Sequence, residues 1–193
     1  MLIEKEKILF IHVARTAGTS IERYFSPDLP EDQNPLISGK NNTDFQDKHK
    51  TARRYKASLG ERTFNQMFKF CFIRNPWDLE VSLWKWLSIA VPIYKNLTLK
   101  NHLIRRIGSG KMSFSFYTDV EGENKMDFIG KFEDLQSDFN ILCEKLNLPI
   151  KTLQHTNKTE KEQYSSYYNN ETRSIVEKYY EKEINIFDYK FHE

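Results

Sequence analysis

The chain has 193 residues, a length typical of one domain with one site. Its 29 Lys and Arg are nearly balanced by 27 Asp and Glu, and the formal charge of +2 argues against the many phosphate contacts that hold a nucleic-acid backbone. No apolar run has the pattern of a signal peptide or approaches the ~18 residues of a membrane-spanning helix. We therefore predict a single domain over residues 1–193 that binds no nucleic acid and has no transmembrane segment.

The first part of the chain predicts a strand, a turn and a helix. Residues 7–13 (KILFIHV) form a near-continuous apolar run, the pattern of a strand that is buried on both faces. A turn of small residues follows, and a helix begins at Thr19 or Ser20. Residues 26–48 are rich in Pro, Asn, Asp and Gln, which predicts a long loop over one face.

The same order of strand, loop and helix recurs twice. The apolar run 69–74 is followed by Pro76, which stops a strand and fits the first turn of a helix. A third apolar run, 126–132, precedes apolar residues at helical spacing within 135–146. Alternating strands and helices favour an α/β fold with a small, mainly parallel sheet flanked by helices, whose ligands bind at the carboxyl ends of the strands.

The remaining signals are weaker. A capping-box pattern at Thr159 and Glu162 precedes a helix whose apolar residues lie within 175–180. Cys71 and Cys143 both lie in apolar segments, and two cysteines are too few for a disulfide framework. We expect buried thiols and a reducing cytoplasm.

The predicted topology directs attention to the turn after Val13. Residues 14–20 (ARTAGTS) combine small side chains, one cation, hydroxyls and a helix start, so backbone N–H groups and the helix dipole can converge on an anion. The turn lacks the first glycine and the lysine of the loop that binds nucleoside triphosphates. An ordinary turn between a strand and a helix is the alternative.

A second candidate site follows Ile73. Arg74 stands at the end of a predicted strand, and Ser82 lies two turns into the helix that follows, so one phosphate can bridge them. The alternative is a surface arginine that pairs with Asp78, with Ser82 facing solvent.

Taken in order, these segments resemble the sulfotransferases that use 3′-phosphoadenosine 5′-phosphosulfate, especially their carbohydrate-acting branch. Residues 11–21 (IHVARTAGTSI) are similar to the family's 5′-phosphosulfate loop, and residues 72–78 (FIRNPWD) with Ser82 are similar to its 3′-phosphate motif. Further matches lie at 49–52 with 59–60, at 128–135 with 138–139, and at 186–191. The resemblance covers nearly the whole chain.

The resemblance implies a fold related to the nucleotide kinases and a donor-binding site. The implied ligands of the 5′-phosphosulfate are Arg15, Thr16, Ala17, Gly18, Thr19 and Ser20, and those of the 3′-phosphate are Arg74 and Ser82. Lys158 stands in a segment similar to a family loop that closes near the donor, which implies a further contact. Sulfuryl transfer resembles phosphoryl transfer in depending mostly on positioning and charge stabilisation. The sulfuryl group carries less charge than a terminal phosphate, so no metal is expected.

The catalytic residues implied by the resemblance are a base and a cation. His49 stands where a family motif has a histidine, and we expect it to take the proton of the acceptor hydroxyl. Glu133 is the next candidate. Arg15 stands where the family usually has Lys; it keeps the positive charge but cannot act as a general acid. His12 is expected to pack in the sheet. His102, His155 and His192 are weaker candidates for the base.

Three functions remain open from the sequence. The first is transfer of a sulfuryl group to a hydroxyl, with a saccharide as the expected acceptor and a bacterial or viral cytoplasm as the expected location. The second is a nucleotide-binding protein of the same fold without turnover, which the exchange at Arg15 motivates. The third is a small-molecule or nucleotide kinase, which the missing lysine and metal ligands disfavour. The sequence does not identify the oligomeric state.

Overall fold

A computed structural model describes residues 1–3, 7–27, 49–109, 114–118, 123–154 and 162–192. These residues fall into two compact units, one within 1–73 and 113–156 and the other within 74–112 and 157–193. A single sulfotransferase domain over 1–193 stays a prediction. The strands and α-helices of the described residues are, in chain order, β1 Leu2–Ile3, β2 Ile8–Ile11, α1 Gly18–Phe25, α2 Ala52–Leu59, α3 Glu61–Asn65, β3 Phe68–Ile73, α4 Pro76–Ala90, α5 Leu99–Ser109, α6 Phe114–Tyr117, β4 Phe128–Lys131, α7 Leu135–Lys145, α8 Asn170–Tyr179 and α9 Glu181–Phe187. Two short 3-10 helices span Pro92–Tyr94 and Tyr164–Tyr167.

The first unit contains a four-stranded sheet in the order β1-β2-β3-β4. β1 pairs with β2 antiparallel, whereas β2–β3 and β3–β4 are parallel. The predicted α/β fold with a mainly parallel sheet is confirmed. The strand predicted over 7–13 spans only Ile8–Ile11, because the chain leaves the sheet at His12. β1 was not predicted, since two residues show no periodicity.

Aromatic residues from β2 and β3 dominate the core of this unit. Phe10 and Phe70 stack at 4.9 Å between ring centroids, and both are fully buried together with Phe72 and with Phe139 of α7. Burying such a side chain contributes about 1.5–3 kcal/mol, so the apolar runs that predict the strands also stabilise the sheet. The predicted buried thiols are confirmed, because both cysteines are buried and free.

The second unit contains α4, α5, α8 and α9. Pro76 occupies the first turn of α4, as the sequence predicts, and Asn75 caps the helix. α8 begins with a capping box at Asn169 and Thr172. The capping-box pattern predicted at Thr159 lies outside the described residues, as does the predicted loop from residue 28 onward.

A buried polar network joins the helices of the second unit. The carboxylate of Glu80 on α4 accepts hydrogen bonds from His102 Nε2 at 2.8 Å, from Arg106 Nε at 3.1 Å and from the Tyr180 hydroxyl. Burial would raise the pKa of Glu80, but these partners, Arg106 foremost, lower it to about 2. Burial also raises the pKa of Tyr180 well above its usual value, so its hydroxyl stays a donor. The hydrogen bonds to the charged carboxylate of Glu80 therefore connect α4 with α5 and with the end of α8.

Candidate functional site

The turn between β2 and α1 adopts an irregular backbone. Arg15 and Ala17 have φ values of 64° and 62°, a left-handed conformation that side chains with a Cβ rarely adopt. Such residues cost roughly 1–3 kcal/mol each and persist where the surrounding structure imposes them, often at ligand sites. The Thr16 hydroxyl donates to the Val13 carbonyl at 2.8 Å and is buried. The Thr16 hydroxyl therefore stabilises the turn. Its backbone amide is the group that could make the predicted contact with the 5′-phosphosulfate.

Gly18, the first residue of α1, lies directly against the imidazole of His12. A Cβ at this position would lie 2.0 Å from His12 Nε2. No side chain fits this distance, so the glycine is required for the helix to approach the end of β2. Thr19 and Ser20 continue the helix, Thr19 half-buried and Ser20 buried.

His12 forms a buried pair with Glu22 of α1. His12 Nδ1 donates to Glu22 Oε1 at 2.7 Å, and the two side chains are 4% and 0% exposed. The predicted place of His12 within the first strand is wrong, because β2 ends at Ile11 and the His12 side chain pairs with α1. Glu22 was not among the predicted site residues. The spacing of Gly18 and Glu22 contained a signal, because residues four apart share one helix face and both of them contact His12.

His49 is anchored to the same strand end. Its Nδ1 donates to the His12 carbonyl at 2.9 Å, and its ring lies edge-on to the His12 ring with 4.5 Å between centroids. A carbonyl oxygen can only accept, so Nδ1 carries the proton and the lone pair of a neutral His49 is on Nε2. His49 is half-buried, not a solvent-exposed residue at a helix start.

The second unit brings Arg74 and Ser82 together. Arg74 Nε and Nη2 both lie 2.7 Å from Asp78 Oδ2, and Nη1 donates to Ser82 Oγ at 3.3 Å. Arg74 pairs with Asp78, as the alternative interpretation predicts. Neither residue of the candidate pair is at the surface, however, because Arg74 is only 6% exposed and Ser82 only 2%. The structure thus contains a buried guanidinium held in a fixed orientation beside a hydroxyl, and such a planar fork matches a phosphate.

Asn75 holds the start of α4, next to Arg74. Its Oδ1 accepts from the Trp77 amide at 3.1 Å, and its Nδ2 donates to the Lys190 carbonyl at 2.9 Å. The sequence predicts a helix start at Pro76 and assigns Asn75 no role in the site. The bond to Lys190 joins residues 115 positions apart, which no local pattern reveals.

A family model described as "Sulfotransferase family" matches residues 1–113, more than half of the chain, including the turn after β2 and the start of α4. The chain belongs to the sulfotransferase family. An uncharacterized protein of Archaeoglobus fulgidus is 30% identical over 93 residues, which cover 47% of this sulfotransferase and 77% of the relative. No solved structure gave a significant match. The predicted membership of the sulfotransferase family is confirmed.

The remaining candidate residues of this sulfotransferase do not join either cluster in the described structure. Glu133 is exposed ahead of α7, and His102 is buried in the network around Glu80. Lys158 and His155 lie outside the described residues. Across the described ranges, no three His, Cys, Asp or Glu side chains are grouped in a way that could hold a metal ion. Within the same residues, no helix is both long enough and apolar enough to cross a membrane.

Proposed function

We propose that this sulfotransferase moves a sulfuryl group from 3′-phosphoadenosine 5′-phosphosulfate to a hydroxyl, with a saccharide as acceptor. The observation that carries the choice of donor is the buried pair of Arg74 and Ser82, because it offers a phosphate-binding group in addition to the strained turn at 14–20. A 3′-phosphate is the group that distinguishes this donor from ATP. The turn at 14–20 would take the 5′-phosphosulfate through its backbone amides and the dipole of α1.

The proposed reaction assigns one step to each polar group. His49 Nε2 takes the proton of the acceptor hydroxyl as the acceptor oxygen forms its bond to sulfur. The bond from sulfur to the bridging oxygen breaks, and 3′-phosphoadenosine 5′-phosphate leaves with the electron pair. The guanidinium of Arg15 opposes the negative charge that develops on the leaving phosphate. The reaction as proposed uses no metal.

A nucleotide-binding protein without turnover is the second candidate function. The observation in its favour is Arg15, which replaces the usual lysine and has a left-handed backbone. Arg15→Lys separates the two candidates. If the wild type binds the donor and transfers nothing to any hydroxyl while Arg15→Lys restores transfer, the protein is a binder. Membership of the sulfotransferase family argues against the kinase alternative.

The donor assignment is tested by ligand-induced stabilisation without magnesium. We expect 3′-phosphoadenosine 5′-phosphate to raise the melting temperature more than AMP or ATP, since a ligand at 100 times its Kd adds about 2.7 kcal/mol of stability. Arg74→Ala should remove most of the difference from AMP, whereas Arg54→Ala, an exposed arginine on α2, should leave it unchanged. Equal shifts with ATP and with the 3′-phosphorylated nucleotide would refute the donor.

The acceptor is tested by mass-detected sulfate transfer to a library of hydroxyl compounds that includes saccharides. A product only among non-sugar hydroxyls would refute the saccharide. The cytoplasmic location and the bacterial or viral setting stay predictions.

A further inference from the structure

The segment that follows α9 docks against the start of α4. The ring of Phe191 fills a pocket whose other members are aromatic or cationic, and all of them belong to the second unit. Its neighbours are Trp77 at 5.6 Å, Tyr164 at 5.5 Å and Tyr168 at 5.6 Å between ring centroids, and the Arg173 guanidinium at 4.5 Å from the ring centroid. Edge-to-face pairs contribute about 0.5–1.5 kcal/mol beyond their buried area, so Phe191 anchors the segment firmly.

Hydrogen bonds connect this anchor to Trp77, in the first turn of α4. The Tyr168 hydroxyl donates to the Trp77 carbonyl at 2.9 Å, and Trp77 Nε1 donates to the Arg173 carbonyl at 3.4 Å. Burial raises the pKa of Tyr168 well above its usual value, so this hydroxyl keeps the proton that it donates. The amide of His192 donates to the Tyr164 hydroxyl at 2.8 Å, which fixes the segment on the far side of Phe191.

Asn75 connects the docked C-terminal segment with the first turn of α4. One end of its amide accepts from the Trp77 N–H in the first turn of α4, and the other end donates to the Lys190 carbonyl, the residue before Phe191. Asn75 is 4% exposed. The cap and the docked segment therefore share one buried side chain, and moving the segment changes the cap.

The cap in turn governs the orientation of Arg74. Arg74 is bonded directly to Asn75 in the chain, and its guanidinium is held by Asp78 on the first turn and by Ser82 one turn further. Fraying of the first turn would move Asp78 and rotate the fork away from Ser82. The affinity for a nucleotide without a 3′-phosphate would not change, because such a nucleotide has no group that binds Arg74.

We propose that residues 189–192 act as a positioning segment that, through Asn75, holds Arg74 in register for a 3′-phosphate and thereby sets the preference for 3′-phosphorylated nucleotides. This proposal rests on the proposed function. Phe191 and Asn75 are positioning residues, since neither is assigned a contact with the donor.

The test compares two nucleotides on matched variants. Kd values are measured by calorimetry for 3′-phosphoadenosine 5′-phosphate and for AMP. We expect Phe191→Ala and Asn75→Ser to weaken the first by about 5–10-fold and AMP by less than twofold, since only the first requires the aligned fork. Asn75→Ser keeps a helix-capping oxygen and loses the donor to Lys190. Phe191→Tyr retains the ring and should restore the wild-type value, and Ile186→Ala, an exposed truncation on α9, is the control.

A double-variant cycle separates positioning from general destabilisation. In an Arg74→Ala background, Phe191→Ala and Asn75→Ser should have no further effect on the affinity for either nucleotide, because the group on which they act is gone. An undiminished effect in that background, or equal weakening of both nucleotides, overturns the proposal. If Phe191→Ala does not fold, Asn75→Ser decides alone. A wild type without preference for the 3′-phosphorylated nucleotide overturns the proposed donor as well, whereas variants that keep a wild-type preference overturn only the positioning role.

Discussion

The turn at 14–20 and the start of α4 are two candidate anion sites built by opposite means. The turn relies on backbone, with two left-handed residues and a glycine that leaves no room for a Cβ against His12. The start of α4 is a regular capped helix whose anion-binding group is a single side chain, Arg74, fixed by its neighbours. A site built from backbone groups loses affinity when the backbone changes shape. A site built on one side chain can lose that side chain, and with it the affinity, while the fold stays intact. The two sites should therefore respond differently to substitution.

The largest effect is expected on the chemical step next to the turn. His49→Ala should slow sulfuryl transfer by about 10²–10⁴-fold, the usual range for loss of a positioned proton acceptor, with the affinity for the donor nearly intact. Only a neutral imidazole accepts a proton, so the wild-type rate should rise with pH through one ionisation that the variant lacks. Steady-state rates across pH and donor Kd values by calorimetry measure both.

Arg54→Ala is the control, since its side chain is exposed on α2 and takes no part in the proposed reaction. A His49→Ala enzyme with full activity would show that the base lies elsewhere, and Glu133 would be tested next.

The second effect concerns the support of α4. The pKa of Glu80 is lowered to about 2 from an ordinary value of 4.5, so between these pH values the unfolded state binds more protons than the folded state. Stability should therefore fall by about 3 kcal/mol as the pH drops through this window, and it should be fully present above it. Glu80→Gln removes this titration and breaks a buried ion pair, which costs about 3–5 kcal/mol near neutral pH. Urea unfolding from pH 2 to pH 7 measures both effects.

Glu171→Gln is the control for this experiment. Glu171 pairs with Lys100 in the same unit, but both side chains are about half exposed, so the pair contributes little. Parallel stability curves of the wild type and Glu80→Gln below pH 4.5 would contradict the role given to Glu80.

Sequence patterns predicted the parts of this molecule that depend on neighbouring residues. β2 and β3 are apolar because they are buried on both faces, and Pro76 marks the start of α4 because its ring fits a first turn. The proximity of Arg74 and Ser82 was also predictable, since Ser82 lies two turns into the helix that begins directly after Arg74 and Asn75. Contacts across the chain were not predictable: Glu80 meets Tyr180, and Asn75 meets Lys190. The sequence around these polar residues has no periodic pattern that would identify their partners.

The smallest effect tests the backbone character of the turn most directly. In Gly18→Ala the new Cβ would lie 2.0 Å from His12 Nε2, so either His12 leaves its bond with Glu22 or α1 shifts. Overpacking of this kind costs about 1–3 kcal/mol, which we expect as a lower free energy of unfolding in urea. Because α1 begins at this residue, the affinity for 3′-phosphoadenosine 5′-phosphate should fall together with that for AMP, in contrast to Arg74→Ala. Gly108→Ala, a glycine of α5 with open space around it, should change neither quantity for the worse. A Gly18→Ala protein with wild-type stability and affinity would show that the turn tolerates a Cβ, and the contrast between a backbone site and a side-chain site would be wrong.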